Sequence, residues 1–277
     1  MKLDKAILKT IKYFSFFAYN PTEKEIHMFL QAKISRNSLD IELNSMIKQK
    51  RISASKDTPP QYSIRKVKDQ KSKVKNSREK LNSWRFKAYV KLISLFPQIK
   101  LVGLSGSISM MNAVKDDDID LFIITAKNRL FTGRLIVLTL AQLLGLRRSR
   151  KARHSNNKIC LNLFFDESNL KVPKFKQTEF VGHEVLQMKP IIVKGDIYKR
   201  FLEANEWVFG IFPNVKQIFN FQFSIFDQSK IQNSNLGDWI EFNLKKYQLH
   251  LINKHRTTEI ITSTQLWFHP DDFEKKL

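Results

Sequence analysis

Two short apolar runs frame the part of this 277-residue chain that leaves the fewest folding options. Residues 101–104 (Leu-Val-Gly-Leu) and 121–124 (Leu-Phe-Ile-Ile) each suit a buried strand and are too short for a helix. Ser105, Gly106 and Ser107 punctuate the first run. Ile108, Met111 and Val114 then recur at helical spacing and predict a short helix. The acids Asp116, Asp117 and Asp118 follow, and after Ile119 comes Asp120. Side chains two apart on a strand share a face. Asp118 and Asp120 are therefore expected to point the same way, with Ile119 and Leu121 turned into the core. Neighbouring carboxylates disfavour each other's ionisation unless a cation sits between them. Mg²⁺ suits such a place, because it takes one or two carboxylates plus substrate phosphates. Gly106 lets backbone approach a ligand closely, and Ser107 offers a hydroxyl and an N–H at a helix start, where anions are favoured. A phosphate-holding turn beside a cation-holding strand points to a nucleoside triphosphate site.

Ser105-Gly106-Ser107, the spacer 108–117 and Asp118-Ile119-Asp120-Leu121 together resemble the motif of the DNA polymerase β-like nucleotidyltransferase superfamily. The likeness covers roughly residues 100–166. It implies an α+β fold with a small mixed β-sheet core and flanking helices. It also implies Mg²⁺-dependent (or Mn²⁺-dependent) transfer of a nucleoside monophosphate from an NTP. Asp118 and Asp120 would be the catalytic metal ligands, and Gly106 and Ser107 would hold the nucleotide's phosphates. The superfamily usually carries a third carboxylate on a following strand, here expected at 158–165, and Asn162 occupies the natural position. An amide oxygen can ligate a metal but is a poor general base. Asp166 and Glu167, at the strand end, could substitute as the third ligand. This departure keeps a second reading open: a nucleic-acid-binding or regulatory protein that keeps the fold with weak or no catalysis. A minimal module that adenylylates a partner protein is a third reading, and the long flanking segments count against it.

Charge bears on the acceptor. The formal net charge is +22, which points to a polyanionic partner such as nucleic acid, and RNA is the favoured acceptor. A protein side chain or a small molecule stays open. The basic excess concentrates in two stretches, 65–91 and 147–153. Each is either a phosphate-backbone surface or a solvated charge run. The chain is 42% apolar with 22 Phe, enough for a substantial core. Its one cysteine, Cys160, sits in an apolar run and is expected in the core; a disulfide within the chain is impossible, which fits a reducing, cytoplasmic setting. The most apolar segment, 130–146, is interrupted by Arg134 and falls short of the roughly 20 residues a membrane span needs, so no membrane association is expected. The scattered histidines, among them His183, His250, His255 and His269, show no metal-ligand spacing and read as structural or surface residues.

In chain order, 1–66 is expected to be a winged-helix-like domain. Helical spacing covers 4–17, and Thr22 with Glu25 forms a capping box opening a second helix. Ser35 or Asn37 starts a third, and two alternating segments flank the turn 57–60. Such a domain either reads DNA or serves as a packing and protein-contact module; the mixed charge of the third helix leans towards contact. Residues 67–97 form a basic helical linker, with Leu81, Trp84, Ala88 and Leu92 as its buried stripe. The nucleotidyltransferase core spans 98–170. It includes a helix over 128–145 whose inward residues are expected to be Leu135, Leu138, Ala141 (or Gln142) and Leu146. The rest, 171–277, reads as mostly helical. There Tyr198, Phe201, Leu202, Asn205 and Val208 lie on one face, and Trp239, Ile240, Leu244, Leu251 and Ile252 on another.

Overall fold

The computed structural model describes residues 2–65, 70–148, 156–215, 235–254 and 256–268. The chain is a mixed α/β protein built on a six-stranded mixed sheet. Helices α1 (Leu3–Phe16), α2 (Glu23–Phe29) and α3 (Arg36–Lys48) come first, followed by the hairpin β1 (Ser53–Ala54) and β2 (Tyr62–Ser63). The predicted capping box is present: the Glu25 N–H donates to Thr22 Oγ1, and the Thr22 N–H donates to the Glu25 carboxylate. Ser35 caps α3. Ile7, Ile11, Ile26, Leu39, Leu43, Met46 and Tyr62 close one small core between these elements.

The basic segment folds as two helices, α4 (Lys71–Asn82) and α5 (Trp84–Ser94), divided at Ser83, whose side chain caps α5. The expected stripe is therefore displaced. Trp84 is 70% exposed, and Phe86, Tyr89 and Ile93 are the buried face of α5. A new helix start resets the phase of every residue after it, which pattern-reading across Ser83 could not register. Helix α4 is also more than a charged spacer. Lys80 is buried and donates to the carbonyl oxygens of Lys115 (2.8 Å) and Asp117 (2.7 Å) and to the side-chain oxygens of Asn156 and Asn157. Ser77 Oγ accepts from the Ala113 N–H, and Lys73 donates to Asn112 Oδ1. Burial lowers the pKa of Lys80, and Asp117 and its neighbours oppose that shift. Replacing Lys80 with Ala leaves the part-buried carbonyls of Lys115 and Asp117 without this donor. It is expected to cost about 2–4 kcal/mol, read from urea unfolding at an unchanged slope.

The sheet runs β6 (Lys189–Val193), β3 (Ile99–Leu104), β4 (Ile119–Thr125), β5 (Ile159–Asp166), β8 (Gln265–Trp267), β7 (Ile260–Ile261). All pairings are antiparallel except β4 with β5. A parallel pair needs a crossover, and helix α7 (Leu130–Leu143) lies within it. The described part of 171–277 is mostly helical, as expected, with α8 (Glu179–Gln187), α9 (Ile197–Ala204), α10 (Val208–Ile211) and α11 (Asn235–Asn253), and it also gives three strands to the sheet.

Alternation along β4 sorts its side chains onto two cores. Ile119, Leu121 and Ile123 join Phe86, Tyr89, Phe131 and Val137 beneath α5 and α7. Phe122 and Ile124 join Val181, Val185, Phe201 and Leu202 beneath α8 and α9. Within α7 the buried face is Leu130, Gly133, Val137 and Ala141, while Leu135 is 43% exposed; the helix is rotated from its expected phase. The α9 face is as expected, with Tyr198, Phe201, Leu202, Asn205 and Val208 all buried. On α11 the buried residues are Gln248 and Ile252, and Trp239 is solvent-facing. Phe14 and Phe29 of the first helices belong to the α8–α9 core. Asn214 bonds the backbone of His27, Ala32 and Ile34. The first helices therefore close a small core of their own and also send Phe14 and Phe29 into the core beneath the sheet.

Candidate active site

The site forms where β3 ends, β4 begins and β5 begins. Ser105, Gly106 and Ser107 leave β3 and enter a four-residue helix, α6 (Gly106–Ser109). That helix is shorter than expected: Met111 has a positive φ of 53°, which ends helical geometry before Val114. Gly106 has φ +59°, and a β-carbon there would lie 2.7 Å from Asp120 Oδ2. Only glycine therefore fits between this turn and the acid. The Ser105 N–H donates to the Asp120 carbonyl, joining the turn to β4. Ser107 Oγ donates to Asp117 Oδ2 at 2.9 Å, and the Val114 N–H donates to the same oxygen. Ser107 thus fastens the loop that delivers Asp118, and its hydroxyl is spent there.

Asp118 and Asp120 come together as expected. Asp118, Asp120 and Cys160 each offer a ligand atom, and all three atoms lie within 4.8 Å of one another. Cys160 stands opposite Asp120 in the parallel β4–β5 register, and so lines the site instead of filling the core. The register then shifts: Leu121 faces Leu161, but Phe122 faces Leu163. Asn162 is the extra residue of a bulge, a device that re-aims a side chain. Its amide donates to Asp120 Oδ1 at 2.7 Å, while its Oδ1 accepts from Cys160 Sγ. Asp166 is elsewhere. It pairs with Thr125, at the far end of the strands, and accepts from the Asn128 N–H and from Ser168. Five residues along β4 separate it from Asp120, about 17 Å at strand rise. Its work is to cap the turn before α7.

Two further groups complete the site. Arg148 Nη1 donates to Asp118 Oδ2 at 2.6 Å and lies 3.6 Å from Cys160 Sγ. Glu184, on α8, accepts from the Gly106 backbone N–H. Arg148 belonged to a basic run that gave no hint of an individual partner. Glu184 is an acid amid Val181, Val185 and Leu186, a misfit that could have flagged it. The remainder of the second basic stretch, 149–153, lies outside the described residues, as do 66–69 of the first and His255 and His269. His183 is structural, stacked between Tyr13 (3.8 Å) and Phe29 (4.2 Å).

The acids sit where water is scarce. Burial, then Asp118 and Glu184, push the Asp120 carboxyl up to about 8; burial pushes Glu184 to about 7. Burial and the two aspartates push the Cys160 thiol to about 12, so it stays a neutral thiol. An acid whose pKa is raised by folding keeps its proton in the native chain but loses it in the unfolded one. Stability from Asp120 and Glu184 is then full below the ordinary carboxylate range and falls as pH rises towards 7 to 8. We expect the thermal midpoint to drop across that window, Asp120→Asn to flatten the drop, and Mn²⁺ to restore the midpoint at its alkaline end.

The donor set fits a divalent cation. Two carboxylate oxygens on one face match Mg²⁺ or Mn²⁺, and a positive ion favours the ionised Asp120 that burial, and then its acidic neighbours, disfavour. Among the described residues, no helix is long and apolar enough to cross a membrane. No family model, curated protein or solved structure matches this chain.

Proposed function

We propose that the chain is a nucleotidyltransferase that moves a nucleoside monophosphate from an NTP to an acceptor, with RNA the favoured class. The observation that carries this reading is the convergence of Asp118 and Asp120 against a glycine turn so close that no side chain fits between. A divalent ion, Mg²⁺ or Mn²⁺, would supply charge neutralisation for the triphosphate and activation of the acceptor oxygen. Asp118 and Asp120 hold it. Asn162 orients Asp120 through its amide, in place of a third carboxylate. The bare backbone of Gly106 lets the turn close directly onto Asp120. Ser107 acts by fixing the Asp117 loop, a role different from direct phosphate contact.

A second reading has its own support. Asp118 is paired with Arg148, Asp120 with Asn162, and the Gly106 N–H with Glu184. A site so fully satisfied internally suits a nucleic-acid-binding or regulatory protein that keeps the architecture without turnover. The two part in one experiment: incubation with each labelled NTP, Mg²⁺ or Mn²⁺, and total RNA. Label in RNA or in a protein supports transfer. Tight RNA binding with no label anywhere leaves the second reading standing.

The RNA surface we assign is the outer face of α4 and α5. Lys71, Lys75 and Arg78 line a groove of about 500 Å³ against Asp57 and Gln61 of the hairpin, and Arg85, Lys87 and Lys91 continue the exposed basic face. The exposed face of α3 carries Arg36, Asp40 and Lys48, mixed in sign, which fits a packing role for the winged-helix-like segment better than base reading. Replacing Lys75 and Arg78 together by Ala should weaken single-stranded RNA binding and make the log–log salt slope shallower by about 1.4, which is about 0.7 per lost phosphate contact. An unchanged slope, measured by fluorescence anisotropy, would move the RNA path elsewhere.

A further inference from the structure

We propose that Arg148 is the stand-in cation of this site: it is exchanged for the divalent metal on loading, and the released guanidinium then holds the phosphates that arrive with the metal. The inference rests on the metal-dependent reading above.

The geometry is one of competition. Arg148 Nη1 is 2.6 Å from Asp118 Oδ2 and 3.6 Å from Cys160 Sγ, two of the three groups whose ligand atoms converge. A guanidinium nitrogen and a metal ion cannot share that position. Charge leads the same way. Arg148 pairs with the carboxylate of Asp118 alone, whereas a divalent ion can take up those of Asp118 and Asp120 together and balance both once they are ionised. Exchange therefore completes the neutralisation that Arg148 begins. It also comes at low cost, because the arginine side chain is 46% exposed while that of Asp118 is 15% exposed. The guanidinium reaches in from the solvent side, and a half-exposed ion pair is weak. Once turned out, it stays within one side-chain length of the ion. Its planar fork of donors matches phosphate oxygens in a way that a lysine would not. The Gly106 N–H, the other donor of the turn, is engaged by Glu184, so the site has a use for a mobile anion-binding group.

The test uses the full chain, Mn²⁺ as the metal probe followed by its paramagnetic resonance signal, and ATP as the anion probe. Arg148→Gln is expected to bind Mn²⁺ alone about tenfold more tightly than wild type, and to bind ATP at saturating Mn²⁺ about tenfold more weakly. Opposite changes are the signature, because a merely structural arginine would weaken both. Arg148→Lys keeps the charge and loses the fork: its Mn²⁺ affinity should stay near wild type while its ATP affinity falls. Unchanged or weaker Mn²⁺ binding in Arg148→Gln overturns the exchange. Tighter Mn²⁺ with unchanged ATP binding overturns the phosphate role. If neither wild type nor variant binds Mn²⁺, the metal-dependent reading fails together with this one, which separates the two failures.

Discussion

Under the proposed function, Asp118→Ala is expected to lower label transfer from NTP by at least about a thousandfold, because it removes a carboxylate that would anchor the ion on which charge stabilisation would depend. The fold should survive. Asp118 sits at the entrance to β4, and its side chain pairs with the half-exposed Arg148. Losing that pair costs no more than about 1 kcal/mol. The two measurements together make the case: near-total loss of transfer at a nearly unchanged unfolding midpoint. Wild-type transfer by the variant would sink the active-site assignment outright.

Gly106→Ala should damage both the fold and the site, and Gly145→Ala supplies its control. Both glycines have positive φ, +59° and +66°, so each alanine pays roughly the same backbone strain of about 1–2 kcal/mol. They differ in what the methyl meets. At Gly145 there is nothing within 4 Å; at Gly106 the Asp120 carboxylate is 2.7 Å away. Gly106→Ala must push that acid aside or move the turn. We expect it to destabilise by about 1–3 kcal/mol more than Gly145→Ala, in the range of an overpacked core, and to abolish metal binding. Equal destabilisation by the two variants, with Mn²⁺ binding intact in both, would show that the turn does not press on Asp120.

What could be read from residues alone was whatever depends on neighbours in sequence. The Thr22–Glu25 box, the shared face of Asp118 and Asp120, and the buried face of α9 all follow from spacing within one element. Phase was lost where an element restarts, as at Ser83, or where a helix is covered from more than one direction, as α7 is by α5, α11 and the sheet. Strands β7 and β8 have two and three residues, too few for a period to show, and β6 holds Lys189 and Pro190. The companions of the aspartates were hidden for a different reason. Cys160 reaches Asp120 through a strand register, Arg148 through the return from a crossover, and Glu184 through helix packing. Asp166 was placed in the site because its distance along β5 was judged without that register.

The aromatic stacking of His183 between Tyr13 and Phe29 has a mechanical consequence. His183 is followed at once by Glu184, whose carboxylate holds the turn at Gly106. The first two helices thus grip α8 one residue from its hold on the Gly106 bend. A load applied to the amino-terminal bundle is delivered to the bend through this short lever. A chain shortened to begin at α4 would lose the grip, leave Phe212 and its neighbours uncovered, and let the bend drift from the acids it faces.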